Sequence, residues 1–368
     1  MKTTSIALKS LFTIGACLVA WAIPFVPLPA QASDDADSMF IGDGADDTVK
    51  RFNANNGSSE GTFVASSSGG LFGPRGLVFA GRHLLVVNQN VDQPFSGEVL
   101  DFDKTGAFVK ARVPSSDPKA PFAPRGMVRG RGNLYVADVG DADYVIGGGA
   151  APNPLPARVA QYDQRTGAWE RDLDYAGFAM NCSATNECVQ WSPRAAVFGP
   201  DGALYVSAMK FLSATNPNTL FGRIIRFPKG GRGAGQVLVD GDACGCGLAR
   251  PEGLSFGPDG RLYVTSFRIS ADDTDKILVF RRNGAFVKKI DLDEVGQPRA
   301  FAQAIAFGPG GKLYVPINGG GPDAGSVRRY DVSAGTYDTL VAAGGELIAP
   351  WYITFGRTNS ATLAYGDD

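Results

Sequence analysis

Short apolar stretches separated by turn residues recur along the chain in a fixed order. In each copy, a strand-like segment that begins at a proline is followed by a glycine-containing turn and a segment of the type Leu-Tyr-Val, as in PEGLSFGPDGRLYV over 251–264. The copies begin at Pro74, Pro124, Pro193, Pro251, close to Gln303, and at Pro350. Such recurrence at a period of 50 residues or more indicates a repeat architecture.

A second pair of apolar segments follows each copy. Examples are 98–103 with 107–109, and 276–280 with 285–287. Alternating apolar positions and glycine-containing turns predict antiparallel strands. Two hairpins in succession form a four-stranded unit, which is one blade of a β-propeller.

The last copy, 350–356 followed by Leu363-Ala364-Tyr365, lacks its second hairpin. Segments with the pattern of late blade strands occur instead near the other end of the chain, at 39–41, 48–52 and 61–64. We therefore predict that both chain ends build the last blade, which closes the ring and removes open sheet edges. The predicted fold is an all-β, six-bladed β-propeller with four-stranded blades over residues 33–368.

Composition agrees with this fold and excludes several others. The chain has 48 Gly and 23 Pro, with 20% charged and 44% hydrophobic residues. So much glycine and proline is incompatible with a helical bundle, and so much apolar surface is incompatible with intrinsic disorder. The net charge is −2 and no basic stripe is present, so we expect no nucleic-acid partner.

Residues 1–32 have the features of a cleavable export signal. A basic start is followed by an apolar stretch over 11–26, and small residues precede a cleavage point after Ala32. The stretch is interrupted by a proline, whereas a membrane span needs about 20 unbroken apolar residues. We predict export to the periplasm or the extracellular space. Lipoprotein anchoring at Cys17 is disfavoured because only seven residues separate it from Lys9.

Four cysteines remain after removal of the signal. They are Cys182, Cys188, Cys244 and Cys246. An even number in an exported chain predicts two disulfides, although the pairing does not follow from the sequence. We favour bonds between the two cysteine loops, because a Cys244–Cys246 bond would close a very small ring. A four-thiolate metal site is the alternative, but the paired C-x₂-C spacing is missing.

The connections between strands differ in length at the two ends of the predicted ring. Tight turns join strands one to two and three to four, whereas the other connections are long. The long ones are 138–157, 177–192, 208–222, 240–249 and 317–326. Long loops on one end of a rigid scaffold predict a binding face, with neutral variation of surface loops as the alternative. His83, the single histidine, lies at the opposite end, which argues against a Ser-His-Asp hydrolase.

The Pro-x-Gly, Gly-Pro-Asp-Gly and Leu-Tyr-Val segments resemble NHL-repeat and SMP-30/gluconolactonase-type propellers over essentially the whole chain after the signal. The resemblance implies a divalent-metal-dependent hydrolase or lyase with Ca²⁺ or another divalent cation in the channel. The Glu, Asp and Asn ligands of that type match Glu252, Asp138 and Asn88 here. The chain departs from the pattern because no Asn occupies a strand-one position and Arg stands there three times.

Those strand-one positions are expected to approach the central channel on the long-loop face. They are occupied by Arg75, Arg125, Arg194, Glu252, Gln303 and Trp351. Guanidinium groups bind carboxylate or phosphate through paired hydrogen bonds. The sequence therefore predicts a monomeric, non-catalytic protein whose funnel binds a small polar or anionic molecule, or another exported protein. The alternative is that the arginines only pair with neighbouring carbonyl groups or with Glu252.

Overall fold

The computed structural model describes residues 37–89, 96–140, 156–179, 181–182, 188–212 and 221–366. Within these ranges, 25 strands form six antiparallel sheets, five of four strands and one of five. The prediction of an all-β, six-bladed propeller is confirmed. Residues 1–32, predicted as the signal, lie outside the described residues.

The sheet order shows how the strands succeed one another from the channel to the rim of each blade. Blade 6 contains β1 (Ser38–Asp43), β2 (Thr48–Asn53) and β3 (Ser59–Val64), with β25 (Pro350–Phe355) as its inner strand. Blade 1 contains β4 (Pro74–Ala80), β5 (His83–Asn88), β6 (Glu98–Phe102) and β7 (Phe108–Val113). Blade 2 contains β8 (Pro124–Gly130), β9 (Asn133–Asp138), β10 (Arg158–Asp163) and β11 (Trp169–Asp172).

The other three blades follow the same order. Blade 3 contains β13 (Cys188–Phe198), β14 (Leu204–Leu212), β15 (Gly222–Phe227) and β16 (Gln236–Asp240), and the short strand β12 (Asn181–Cys182) pairs with the start of β13. Blade 4 contains β17 (Arg250–Phe256), β18 (Leu262–Phe267), β19 (Lys276–Phe280) and β20 (Phe286–Asp291). Blade 5 contains β21 (Ala306–Phe307), β22 (Leu313–Ile317), β23 (Ser326–Asp331) and β24 (Thr336–Val341). Single helical turns occur at Ser68–Gly70, Ala176–Phe178, Pro228–Gly231, Gly241–Cys244 and Pro309–Gly311.

Blade 6 joins the two ends of the described chain as predicted. Its strand β1 pairs antiparallel with β25, with Ile41 opposite Ile353. The expectation that Leu363-Ala364-Tyr365 forms the second strand of this blade is wrong, because β1 occupies that place. Residues 356–366 leave the blade and turn back on themselves through a bridge between Thr358 and Tyr365.

Aromatic rings couple neighbouring blades. The tyrosine of the Leu-Tyr-Val segment packs edge-on against the phenylalanine that ends strand one of the next blade. The pairs, with their centroid distances, are Tyr135–Phe198 at 5.3 Å, Tyr205–Phe256 at 5.0 Å, Tyr263–Phe307 at 5.1 Å and Tyr314–Phe355 at 4.9 Å. Edge-to-face pairs of this kind add about 0.5–1.5 kcal/mol beyond their area burial. The repeated sequence positions are therefore largely those that hold the ring together.

The inner strands approach one another closely around the axis. A Cβ atom placed on Gly76 would lie 2.6 Å from the backbone nitrogen of Met127, and one on Gly126 would lie 2.7 Å from the Cα of Ala195. The channel at this level is reduced to a cavity of about 30 Å³. Gly76 and Gly126 therefore leave no room for a side chain at these two positions.

The C-terminal segment covers the short-turn end of the channel. The carbonyl group of Ser360 accepts a hydrogen bond from Arg129 (2.7 Å), and that of Ala361 accepts one from Phe198 (2.9 Å). Leu363 lines the channel cavity and packs against the apolar clusters of several blades. The channel is therefore covered at this end, opposite the face of the long loops.

One expectation about the connections between strands is wrong, and the expected position of His83 is found. The range 177–192, expected to be a loop, contains the strand pair β12–β13, and Cys182 lies opposite Cys188 in its backbone register. His83 begins β5 at a strand one-to-two turn, as expected, and its Nδ1 lies 2.7 Å from Oδ1 of Asp101.

The described residues include no helix with the length and apolar character of a membrane span.

Candidate functional site

Side chains at the start of the inner strands meet in the channel, as the sequence predicts. Arg75 of blade 1 donates from Nη1 to Oε1 of Gln303, beside blade 5. Its guanidinium group also stacks on the indole ring of Trp351 in the intervening blade 6, with 3.6 Å between Cζ and the ring centroid. These contacts span three blades, so the interaction can form only if all three inner strands are in place.

Arg194 and Glu252 form a second contact in the channel. The Nε and Nη2 atoms of Arg194 lie 2.8 and 2.6 Å from the same oxygen, Oε1 of Glu252. Both side chains are almost fully buried. The other oxygen, Oε2, is also buried and has no hydrogen-bond donor within the described ranges. A buried acceptor of this kind is costly unless a donor reaches it.

The described side chains of this group include more cationic than anionic groups. Burial lowers the pKa of Arg75 well below its ordinary value, and the neighbouring Arg125 guanidinium lowers it further, although arginine stays protonated in proteins. The pKa of Tyr352 is raised to about 12. Burial is the main cause, the charge of Glu252 also raises the pKa, and the neighbouring arginines lower it in part. Three guanidinium groups thus share the site with one carboxylate of the described residues.

We call this group the channel cluster. It comprises Arg75, Arg125, Arg194, Glu252, Gln303, Trp351 and Tyr352. One contact and one residue of this site were not foreseen from the sequence. Gln89 accepts a hydrogen bond from Nε of Arg75 at 2.7 Å, and Tyr352 stands at the inner-strand position where the other blades carry glycine or alanine. That break in the small-residue pattern was the available signal for Tyr352.

Glu252, Asp138 and Asn88, the metal ligands implied by the family resemblance, each have hydrogen-bond partners within the protein. The carboxylate of Asp138 accepts hydrogen bonds from the backbone N–H groups of Phe122 and Ala123, both at 2.9 Å, and from Nε of Arg158. Within the described ranges, no three His, Cys, Asp or Glu side chains come together as a metal site. Three arginines around one neutralised carboxylate do not fit a divalent cation.

Asn88 and Asp138 instead serve a structural role that recurs in the ring. Asn88 accepts from Phe72 N–H (2.8 Å) and donates to the carbonyl group of Gly70 (2.9 Å). In both residues, a polar side chain at the end of strand two binds backbone just before strand one of its own blade. Asp43 and Ser266 make corresponding contacts, to Ile348 and Ala349 and to Gly247 and Ala249 respectively. The repeated polar residue at this position fixes the entry of the inner strand.

The cysteine pairing differs from the expected bonds between loops. Cys244 and Cys246 form a disulfide with each other. Their Cα atoms are 5.1 Å apart, which is within the ordinary range for a disulfide. Gly245 makes the tight turn feasible because it adopts a left-handed conformation with φ of 56°. The side chains of Cys182 and Cys188 lie outside the described parts of the structure.

Comparisons with known proteins agree with the fold. No family model and no curated protein matches the chain. The periplasmic gluconolactonase of Pseudomonas aeruginosa is 18% identical, with 86% of this chain and 98% of that chain covered and a TM-score of 0.51. A candidate 6-phosphogluconolactonase from Bacteroides fragilis is 14% identical over 88% of this chain and 99% of that chain, with a TM-score of 0.50. A protein of unknown function from Bacteroides caccae gives a TM-score of 0.55 at 10% identity, with 86% and 97% covered. These likenesses show a propeller fold shared with gluconolactonase-type structures, whereas the NHL label stays a prediction.

Proposed function

We propose that the channel cluster binds a small organic anion that enters from the long-loop face. The observation that carries this proposal is the buried guanidinium group of Arg75, which contacts neutral side chains and lies near Arg125, Arg194 and one carboxylate of the described residues, Glu252. Buried charge is costly unless an opposite charge compensates it. A carboxylate or phosphate ligand supplies that charge and matches the planar guanidinium donors.

Oε2 of Glu252, which has no donor among the described residues, limits which ligands fit the cluster. Oε2 of Glu252 needs a hydrogen-bond donor, and an anionic group does not provide one. A molecule with both a carboxylate and a hydroxyl group satisfies the arginines and Glu252 together. The half-buried ring of Trp351, stacked on Arg75, forms an apolar wall beside them. A hydroxy acid therefore fits the site better than a simple inorganic anion.

A panel of small acids tests this proposal by thermal shift at low ionic strength. We expect hydroxycarboxylates to raise the melting temperature more than acetate or chloride at the same concentration. Arg125→Gln should weaken the apparent affinity about tenfold or more, since one lost charge-assisted bond is worth about 1.5–3 kcal/mol. Arg281→Gln is the matched control, because Arg281 is an exposed arginine outside the cluster. Equal responses in both variants would refute the proposal.

Hydrolysis of a lactone is the second candidate function, favoured by the likeness to the periplasmic gluconolactonase. Hydrolysis of a lactone yields a hydroxy acid, which is the class of anion that the cluster fits. The test is acid release from glucono-δ-lactone, followed in a pH-stat with and without a chelator. Glu252→Gln should abolish turnover if the protein is an enzyme of this kind. Binding of the acid without turnover of the lactone supports the first candidate alone.

We also propose that the protein is exported and that its signal is removed after Ala32. The basic and apolar pattern of residues 1–32 and the Cys244–Cys246 disulfide support this, because disulfides persist mainly in oxidising compartments. Cell fractionation followed by mass analysis of the purified protein tests it. A cytoplasmic protein that begins at Met1 would contradict the proposal.

A further inference from the structure

The Cys244-Gly245-Cys246 turn lies in the loop between β16 and β17. A single helical turn, Gly241–Cys244, leads into it and is capped by Asp240, whose Oδ1 accepts from the Asp242 N–H at 3.1 Å. Gly245 is exposed, and a Cβ atom placed on it would meet nothing within 4 Å. The disulfide is therefore part of an open surface turn and is approachable by another molecule.

The two sulfur-bearing residues of this turn have different surroundings. Cys246 is 8% exposed and belongs to an apolar cluster together with Leu248 and Leu254. Cys244 is only half-buried and packs at the edge of that cluster. Thiol–disulfide exchange depends on which sulfur an attacking thiolate can reach. The geometry makes Cys244 the sulfur that is attacked and Cys246 the sulfur that leaves.

A backbone group is already placed to stabilise reduced Cys244. The N–H group of Cys246 donates to Sγ of Cys244 at 3.2 Å. A hydrogen bond to the charged form of an acid favours that form, so this contact stabilises a Cys244 thiolate once the disulfide opens. A thiolate is the species that carries out the exchange reaction.

We expect the fold around the turn to persist when the disulfide is open. A bond across one intervening residue restricts the unfolded chain little, because in the chain-entropy account the stabilisation grows with loop length. The loop is held separately by hydrogen bonds. Ser266 Oγ accepts from Ala249 N–H at 3.1 Å, and the carbonyl group of Leu248 accepts from Gly222 N–H at 2.9 Å. The bond can therefore open and close within the folded propeller.

We propose that Cys244 and Cys246 form a thiol–disulfide exchange site that oxidises dithiols. One thiolate of the dithiol attacks Sγ of Cys244, the Cys244–Cys246 bond breaks, and Cys246 leaves as a thiolate that takes up a proton. The second thiolate of the dithiol then attacks the mixed disulfide and releases Cys244 as a thiolate. The dithiol is oxidised to a disulfide, and the turn is reduced by the same two electrons.

The first experiment uses dithiothreitol as the dithiol probe on the oxidised, full-length mature protein. Samples are alkylated at intervals and mapped by peptide mass, while circular dichroism monitors the strands. We expect Cys244 and Cys246 to become alkylated together with the strand signal unchanged. Reduction of this pair only after the strand signal is lost would overturn the proposal.

The second experiment separates the roles of the two cysteines with single-cysteine variants. In the Cys246→Ser variant, Cys244 should form a mixed disulfide with an aromatic disulfide reagent about tenfold faster than Cys246 does in Cys244→Ser, because it is more accessible and its thiolate is stabilised. The double variant Cys182→Ser/Cys188→Ser is the matched control and should still oxidise dithiothreitol. Equal rates in the single-cysteine variants, or loss of oxidation in the control, would contradict the assignment.

Discussion

Arg194 directs two donors, Nε and Nη2, at one oxygen of Glu252, at 2.8 and 2.6 Å. The pair joins the inner strands of blades 3 and 4, and both side chains are buried. It neutralises one guanidinium group and leaves Oε2 of Glu252 without a donor from the described residues. Arg75 contacts the neutral side chains of Gln89, Gln303 and Trp351, and its buried positive charge is the basis of the proposed anion site.

Replacing Glu252 by glutamine tests this charge balance. Removal of one partner of a buried ion pair costs about 3–5 kcal/mol, so the variant should unfold at lower urea concentration. The cluster then holds three guanidinium groups and no carboxylate of its own. Added citrate should therefore raise the melting temperature of Glu252→Gln more than that of the wild type. Glu346→Gln, at an exposed carboxylate, should change neither quantity; an equal citrate response in Glu252→Gln and wild type would contradict this account.

Asp43 should make stability depend on pH in the acid range. Burial alone would raise its pKa, but hydrogen bonds from Lys50 Nζ and from the backbone of Ile348, Ala45 and Ala349 outweigh burial and hold the pKa below its ordinary value of 3.8. A lowered pKa means that the stabilisation is complete above the unfolded-state value and is lost as the pH falls through the folded-state value.

The measurement is thermal unfolding of the wild type and Asp43→Asn between pH 2 and pH 7, a window of about five units around that pKa. The wild type should be more stable near neutral pH, and the difference should shrink as the pH falls below 3.8. Asp272→Asn, which alters an exposed carboxylate, is the control and should follow the wild type. A difference that is independent of pH would show that Asp43 does not act through its charge.

Asp138 should behave as a structural cap and not as a metal ligand. In Asp138→Asn, one oxygen becomes an amide nitrogen facing backbone donors, which should cost about 1–3 kcal/mol in urea unfolding. Asp172 also contacts Arg158 but is exposed, so Asp172→Asn should cost much less. Neither Ca²⁺ nor a chelator should shift the melting temperature. Stabilisation of the wild type by Ca²⁺ that Asp138→Asn abolishes would restore the metal interpretation.

Leu363 should contribute to stability through the C-terminal cover of the channel. Because its side chain is half-buried among clusters of neighbouring blades, Leu363→Ala should cost about 1–3 kcal/mol, near the lower end for leucine truncations. Val295→Ala removes apolar atoms from a residue that is 57% exposed and should be nearly neutral. Chemical denaturation compares the two variants, and equal costs would contradict a role for Leu363 in closing the channel.

The fold could be predicted because the repeated residues are the structural ones. The Leu-Tyr-Val tyrosines and the strand-one phenylalanines make the contacts between blades, so their spacing along the chain gives the number of blades. The one wrong strand was Leu363-Ala364-Tyr365. Its letters match the module, but the N-terminal strand β1 pairs with β25 in its place.

The candidate site could be predicted only in part. The position of each strand-one side chain follows from the repeat, so the convergence of Arg75, Arg194 and Glu252 was foreseeable. The roles of Asn88 and Asp138 were not, because the same oxygen atoms serve equally well as metal ligands and as acceptors for backbone N–H groups. Which of these two roles the oxygen atoms take depends on the backbone path of the loop just before strand one. The sequence pattern does not specify that path. The Cys244–Cys246 bond likewise depends on the backbone conformation of one glycine.

Isothermal titration calorimetry on the wild type and Arg125→Gln tests the central claim most directly. The titrant is the hydroxycarboxylate that gives the largest thermal shift, and each titration is run at low and at high salt. We predict binding to the wild type that weakens with salt and a loss of about tenfold or more in affinity for Arg125→Gln. Equal affinity of the two proteins, or no heat of binding to the wild type at either salt concentration, would contradict the account of the channel as an anion site.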